Sequence, residues 1–258
     1  MIISNKIDNR NKTKPELTVL FSYYNNQKTI RKSLNSILNQ SIKNYEIIIY
    51  SDGSNDNSDT IVKKIIKNKS LNILFLKSNI NKGLTKALNY ILKYARGKYL
   101  ARHDADDISL RKRFEYQLNF LKKNKNIQVL GTNVIHVKDK KRKKILMPES
   151  NYLIKKKLPS SNSIIHSTVV MLKKVLVKNK YNEKFIRCQD YELWLRNKNN
   201  INYHNLQKIL VIRNLNKNQF NLIDLYFSCL ARFKNINFLL FCLYNVKDLF
   251  YYLLKKIL

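Results

Sequence analysis

Short apolar runs alternate with helical patterns through the first half of the chain. Leu17-Thr18-Val19-Leu20-Phe21 has the length and β-rich composition of a buried strand, and it stops at the polar Ser22-Tyr23-Tyr24-Asn25-Asn26. Across residues 29–40, Ile30, Leu34, Ile37 and Leu38 recur at helical spacing. Tyr45-Glu46-Ile47-Ile48-Ile49-Tyr50 is a second strand, ending abruptly in Ser51-Asp52-Gly53-Ser54-Asn55-Asp56. Ile61, Val62, Ile65 and Ile66 mark the next helix, 71–76 a third strand, 84–94 a third helix and 97–101 a fourth strand. Strands alternating with helices at this spacing predict an α/β chain with a mostly parallel, Rossmann-like sheet flanked by crossover helices.

The second half is patterned less cleanly. Phe114, Leu118 and Leu121 share a helical face, and 127–131, continuing through 134–137, reads as a strand. The charge run Lys138-Asp139-Lys140-Lys141-Arg142-Lys143-Lys144 reads as a solvated hairpin loop. Residues 164–171 read as a buried strand, 189–196 as a helix with Asp190 near its amino end, and 206–212 as a last strand. The division that follows is a flexible arm over 1–15, one domain over 16–215 and an apolar, aromatic helical tail over 216–258. In the tail, Ile223, Tyr226, Phe227 and Leu230 make one helical face, 238–244 is apolar all round, and the patch 249–254 runs into Lys255-Lys256. These runs are shorter than the roughly 18 apolar residues that a spanning helix needs. Helices lying in a membrane interface fit them, and so does packing against the domain or a second subunit.

Composition adds a demand for an acidic partner. The 258 residues carry 50 Lys and Arg against 17 Asp and Glu, a formal net charge of +33. Such a surface attracts nucleic acid, an anionic membrane face or a phosphorylated substrate. Abundant Asn and Lys beside scarce Gly and Pro point to AT-rich codons as one source of that charge. A nucleic-acid-binding protein is the rival reading from charge alone, but it calls for a basic stripe with stacking aromatics or a known module, and neither is visible. Cys188, Cys229 and Cys242 are odd in number, lack metal spacing and fit a reducing compartment. No signal-peptide layout opens the chain.

The chemistry concentrates in Arg102-His103-Asp104-Ala105-Asp106-Asp107, three carboxylates within four residues of a basic protein. Carboxylates this close repel one another unless a positive charge stands between them. A hard cation such as Mg2+, with substrate phosphates completing its shell, answers that need. The turns 22–26, 51–56 and 102–107 all follow parallel strands, so they should open on one sheet edge, where α/β sheets place ligands. A solvated acidic turn capping the next helix is the plain alternative for the acids, and a simple Gly53 turn for 51–56. His103-Asp104 also suggests a phosphohydrolase metal pair, but the other spaced histidines such a site needs are absent.

Taken in order, these pieces resemble a family 2 glycosyltransferase of the GT-A fold, of the bacterial surface-polysaccharide type, over residues 17–213. The carriers are Tyr24-Asn25, Ser36-Ile37-Leu38-Asn39-Gln40, Ser51-Asp52-Gly53-Ser54, and Asn81-Lys82-Gly83 with Ala87 and Asn89. Gly97, Asp104-Ala105-Asp106-Asp107, Arg113, Gln117, His166 and Gln189-Asp190-Tyr191-Glu192-Leu193-Trp194-Leu195-Arg196 complete the set. The resemblance implies an inverting, metal-dependent transferase using Mn2+ or Mg2+. It implies that Asp52 contacts the uracil, or corresponding base, of a nucleotide-sugar, with Tyr24, Asn25, Asn81, Gly83 and Arg113 around the nucleotide. Asp106 and Asp104 are implied as the D-x-D metal pair, with Asp104 also toward the ribose, and Asp190 as the catalytic base. His166 either faces the site or lies satisfied beneath it, and Trp194 is either core or acceptor wall. The implied partners are a UDP-sugar and a saccharide acceptor, with no specific nucleic acid; an interfacial tail suits a lipid-linked saccharide as that acceptor. The implied location is the cytoplasmic face of the inner membrane, held peripherally.

The chain departs from the family pattern at Ser51, where an acid is common, at Ser22, where Pro is familiar, and at Tyr23, where a small residue is usual. Gln189 stands in for an acid and His103 for an apolar residue. None of these removes a group the chemistry requires. A sugar nucleotidyltransferase of related fold would be expected to begin with a Gly-rich loop, and Tyr23-Tyr24-Asn25-Asn26 is not one. A degenerate transferase that only binds is a further alternative, countered by the retained Asp52, Asp104, Asp106 and Asp190.

Overall fold

A computed structural model describes residues 3–67, 72–215, 222–237, 239–245 and 248. The pattern in the first half becomes β2 (Leu17–Tyr23), α1 (Ile30–Leu38), β3 (Tyr45–Asp52), α2 (Ser58–Ile66), β4 (Ile73–Ser78), α3 (Leu84–Ile91) and β5 (Tyr99–Asp104). Before them comes β1 (Asn5–Asp8), inside the stretch expected to be a loose arm. It pairs antiparallel with β4, and Ile7, opposite Phe75, packs onto the core.

The second half supplies β6 (Ile108–Ser109), α4 (Arg113–Lys123), β7 (Val129–Lys138), β8 (Lys141–Ile145), α5 (Asn151–Lys157), β9 (Val170–Leu172), α6 (Lys173–Asn179), α7 (Gln189–Arg196), β10 (Tyr203–Asn214) and α8 (Leu222–Asn235). The sheet order is β1-β4-β3-β2-β5-β9-β7-β10-β6, with β8 extending the far half of β7. β2 runs parallel to β3 and β5, β3 to β4, and β7 to β10. β9 is antiparallel to both β5 and β7, so β7 and β10 share the direction of β2–β5. Among the described residues, six strands therefore end on one edge.

The central strands read as continuous apolar runs because both sheet faces are covered. Leu17, Val19, Phe21 and Tyr23 point toward α1, α2 and α4, while Leu20 points toward the layer of α3, α6 and α7. In α1, Ile30, Ser33, Leu34 and Ile37 are the buried face, at the spacing of a helix laid on a sheet. Fully burying a Leu or Ile contributes roughly 1.5–3 kcal/mol, so Leu34 and Ile37 alone hold this helix strongly.

Three expectations change. The run 164–171 is not one strand: His166–Thr168 form a 3-10 turn and only Val170 onward pairs. The Thr168 hydroxyl donates to Ile165 O at 2.7 Å, holding the turn. The charge run is not all loop, since 141–144 belong to β8 and only Asp139 and Lys140 form the turn. In the tail, Phe227 and Leu230 pack on the core while Ile223 and Tyr226 stay exposed, so the expected face is divided. Arg232 ties α8 down: its Nη2 donates to Ser160 O at 2.9 Å and its Nε to the Tyr191 hydroxyl at 3.2 Å. Phe220, Phe238, the patch 249–254, Lys255 and Lys256 lie outside the described residues. Among the described residues no helix is long and apolar enough to cross a membrane.

Candidate active site

The turns after β2, β3 and β5 meet around one cavity of about 720 Å³, closed on its other side by 186–189 and by Arg213 and Asn214 of β10. Each turn is locked by its own chemistry. Gly53 sits at φ +75°, and a Cβ there would lie 2.5 Å from Asn81 N, so no other residue fits without moving backbone. This close approach lets Asp52 bridge two loops. Lys82 N–H donates to its Oδ1 at 3.0 Å and Gly83 N–H to its Oδ2 at 2.9 Å. Burial raises the Asp52 carboxyl despite those two bonds, which favour its charged form. Asp52 thus lines the cavity with both oxygens already engaged, and it shapes the wall together with Asn81 and Gly83.

Tyr24 is exposed at the mouth of the cavity. Asn25 takes a left-handed φ of +53° and clips two turns together: its Oδ1 accepts from Asn55 N–H at 3.0 Å and its N–H donates to Ser54 Oγ at 3.1 Å. It lines a smaller adjoining cavity rather than the main one.

Asp104, Asp106 and Asp107 bring carboxylate oxygens within 4.8 Å of one another. Arg102, an almost wholly buried residue of β5, pairs with Asp104 and binds the carbonyl of His103. Burial, the largest single influence, would raise Asp104, but Arg102 together with Arg213 and the neighbouring histidines outweighs it and holds the carboxyl low. Asp106 is raised by burial and then by Asp104. The same two causes bring Asp107 up to about 7. Asp107 Oδ2 lies 3.5 Å from Arg213 Nε, and both atoms are buried without a hydrogen bond. Crowded all-oxygen donors with a buried orphan oxygen fit a hard divalent cation.

Beneath the turn lies a buried polar layer that sequence reading assigned differently. Arg113, expected beside the nucleotide, is wholly buried and does not reach the cavity. Its Nη2 donates to Arg102 O at 2.9 Å, its Nη1 to Ser109 Oγ at 2.8 Å, and its Nε to Gln117 Oε1 at 3.1 Å. His103 Nε2 lies 3.1 Å from both Ser33 Oγ and Asp107 O. Burial, with Arg113 beside it, pushes His103 down to about 3, so it is neutral here. Ser33 Oγ donates to Asp104 O at 2.9 Å. The turn is therefore gripped by its backbone from below, which frees its carboxylates to face the cavity.

Cys188 and Gln189 form the wall opposite Asp52, with Cys188 at a left-handed φ of +53° just before α7. Asp190 is one residue further into the helix, where Asn162 Nδ2 donates to its Oδ2 at 2.7 Å. His166 is buried, with Nε2 2.8 Å from the Tyr181 hydroxyl, and burial brings it down to about 4. Trp194 is fully buried, edge-on to Tyr203 at 6.2 Å, so it is core and not a cavity wall. Sequence reading missed Arg102, Arg213 and Asn214. A lone Arg within a buried strand was the available signal for Arg102, since a buried charge needs a partner. Arg213 lay one residue past the predicted strand.

Residues 18–179 match the family described as Glycosyl transferase family 2. An uncharacterized glycosyltransferase of Methanocaldococcus jannaschii is 35% identical over 191 residues, 71% of this chain and 64% of that protein, so the match spans less than two thirds of it. The Escherichia coli enzyme WfgD, named as a UDP-Glc:alpha-D-GlcNAc-diphosphoundecaprenol beta-1,3-glucosyltransferase, is 30% identical over 69% of this chain and 68% of its own length. Among solved structures, the mannosyltransferase PcManGT of Pyrobaculum calidifontis, in complex with GDP-Man and Mn2+, superposes with a TM-score of 0.67 at 13% identity. That superposition covers 89% of this chain and 67% of the other. A GT-A sheet with its polar turns on one edge, and a family match across most of that sheet, make this chain a member of glycosyltransferase family 2.

Proposed function

We propose that the chain is an inverting transferase that moves a sugar from a nucleotide-diphosphate donor, a UDP-sugar, to a hydroxyl of a lipid-linked saccharide in cell-surface polysaccharide assembly. The observation that carries this reading is the meeting of three carboxylates, the Asp52 loop and the start of α7 around one cavity at the carboxyl edge of the sheet. Asp52 and the loop it braces, with Tyr24, form the nucleotide's berth. Asp106 and Asp104 hold a divalent cation, Mn2+ or Mg2+, with Asp107 beside them. Such a cation neutralises the charge that builds on a departing diphosphate. Arg102 and Arg213 keep the acidic cluster from repelling itself apart when no ligand is bound. Asp190 takes the proton of the attacking acceptor hydroxyl, and attack from the face opposite the diphosphate inverts the anomeric carbon. The diphosphoundecaprenol named for the E. coli relative's acceptor supports a lipid-linked one here. Exposed Leu222, Ile223 and Tyr226, next to the cavity residue Asp224, support a peripheral seat on the inner membrane's cytoplasmic face.

Thermal unfolding with UDP, GDP or TDP, each with and without Mn2+, tests the reading. A ligand at a hundredfold excess over its Kd adds about 2.7 kcal/mol. The expected result is a rise that needs both metal and UDP and is lost in Asp106→Ala. No rise with any pair would overturn the assignment.

A further inference from the structure

We propose that the β7–β8 hairpin is an electrostatic docking element that seats the cleft against an anionic lipid surface. Residues 138–144 contain six cations and one acid, and all seven are exposed. β7 is parallel to β10, with His136 opposite Arg213 and Val137 opposite Asn214. Arg213 and Asn214 line the main cavity, so the hairpin continues upward from its rim, on the edge where the parallel strands end.

Local geometry concentrates the charge there. Lys138 pairs with Lys141, and the two residues between them, Asp139 and Lys140, both have positive φ, at +48° and +65°. This is the backbone of a two-residue hairpin turn that favours Asn or Gly. A lysine holds the second position, so the tip projects a cation where a smaller residue would fold more easily. Pairing along β7 then sets Lys141 to Lys144 in a ladder rising about 3.3 Å per residue. These four cations span about 10 Å of backbone, about one Debye length, so their charges act on a partner together.

The chemistry favours a lipid surface over nucleic acid. No aromatic side chain stands among these cations, and a single-strand platform would use stacked rings. A sheet of headgroup phosphates needs only charge at its surface. The cavity wall offers what acyl chains would take: Ile186 is exposed at the cavity, and exposed Leu222, Ile223 and Tyr226 neighbour the cavity residue Asp224. Cations rising from the rim and apolar side chains at the wall would both meet an interface held against the cleft. The inference extends the transferase reading by naming what holds the cleft to the acceptor's membrane. The docking itself rests on charge and topology.

The test is flotation of the full chain with phosphatidylcholine vesicles containing 30% phosphatidylglycerol, compared with phosphatidylcholine alone. Lys141→Gln/Arg142→Gln/Lys143→Gln is expected to weaken binding to the anionic vesicles at least tenfold, since each basic residue near such a surface counts. A control of equal charge loss at the carboxyl end of α2 and the residue after it, Lys63→Gln/Lys64→Gln/Lys67→Gln, should stay within about twofold of the parent. Lys141→Arg/Lys143→Arg should bind as the parent does. Equal binding by the hairpin triple variant and the α2 control would overturn the proposal. So would tighter retention by a 20-base-pair DNA duplex than by anionic vesicles at 150 mM salt. UDP and Mn2+ thermal shifts measured on the same variants should be unchanged. Their absence in the parent, with vesicle binding intact, would sink the transferase reading and leave the docking standing.

Discussion

Asn162 holds the Asp190 carboxylate in one orientation at the start of α7, and that orientation decides whether Asp190 can act as a base. Asp190→Asn keeps shape and the Asn162 contact while removing basicity. Transfer to acceptor should fall by about 10²–10⁴-fold, the usual contribution of a positioned base. The UDP–Mn2+ thermal shift of this variant should match the parent's; normal turnover would remove Asp190 from the reaction. Arg113 makes a different kind of claim. It does not line the main cavity, yet it grips the Arg102 carbonyl and Ser109 under the acidic turn. Arg113→Met removes the donor to the Arg102 carbonyl and leaves Ser109 with only His103 Nδ1, 3.1 Å away, at about 1–3 kcal/mol for each bond lost. Stability should fall by several kcal/mol, and the Mn2+ concentration needed for half the nucleotide shift should rise severalfold. Arg113→Lys should recover part of both. A lower melting temperature with unchanged Mn2+ demand would make Arg113 a core residue only.

Elements were legible where both sides of the sheet are covered. β2, β3 and β4 are continuous apolar runs for that reason, and their helices carry the complementary stripe. Legibility failed where a charge or a polar turn interrupts the period. Arg102 and His103 hide the last residues of β5, although the strand runs through to Asp104. β6 is two residues long, and its pairing to β10 depends on contacts with Val211 and Ile212 that no local pattern carries. β8 was masked by its lysines. The strands of the Ser51-Asp52-Gly53 and Asp104–Asp107 turns were readable, so the edge on which they open was readable too.

The whole molecule decides side-chain direction, which is why the site was only partly foreseen. Asp52, Asn81, Gly83, Tyr24, Asp104 and Asp106 do surround one cavity. His166, Trp194 and Arg113 turn inward instead, where Tyr181, Tyr203 and Gln117 receive them. One global property follows from the buried imidazoles. His166 titrates near 6.5 when unfolded and at about 4 when folded, because burial disfavours its charged form. Between those values the unfolded chain binds a proton that the folded chain refuses. Stability should therefore fall as pH drops through 6.5 and keep falling toward 4, by on the order of 1–3 kcal/mol from this group. His103 and His136 act with the same sign. Asp107, raised to about 7, acts with the opposite sign over the same window. The His166 contribution is therefore a difference: in denaturant titrations from pH 7.5 to 4.5, His166→Gln should lose less stability than the parent, and an equal loss would refute the assignment.

β1 has a role unconnected with catalysis. It is four residues long, pairs with β4, and alternates half-buried Asn5 and Ile7 with exposed Lys6 and Asp8. Behind it β4 is a strand with four apolar residues in a row, buried almost along its length. Without β1, that strand would present a bare row of N–H and C=O groups to any other copy of the chain, a template for open-ended self-association. The four residues of β1 thus close an edge that would otherwise grow by recruiting a strand from a neighbouring copy.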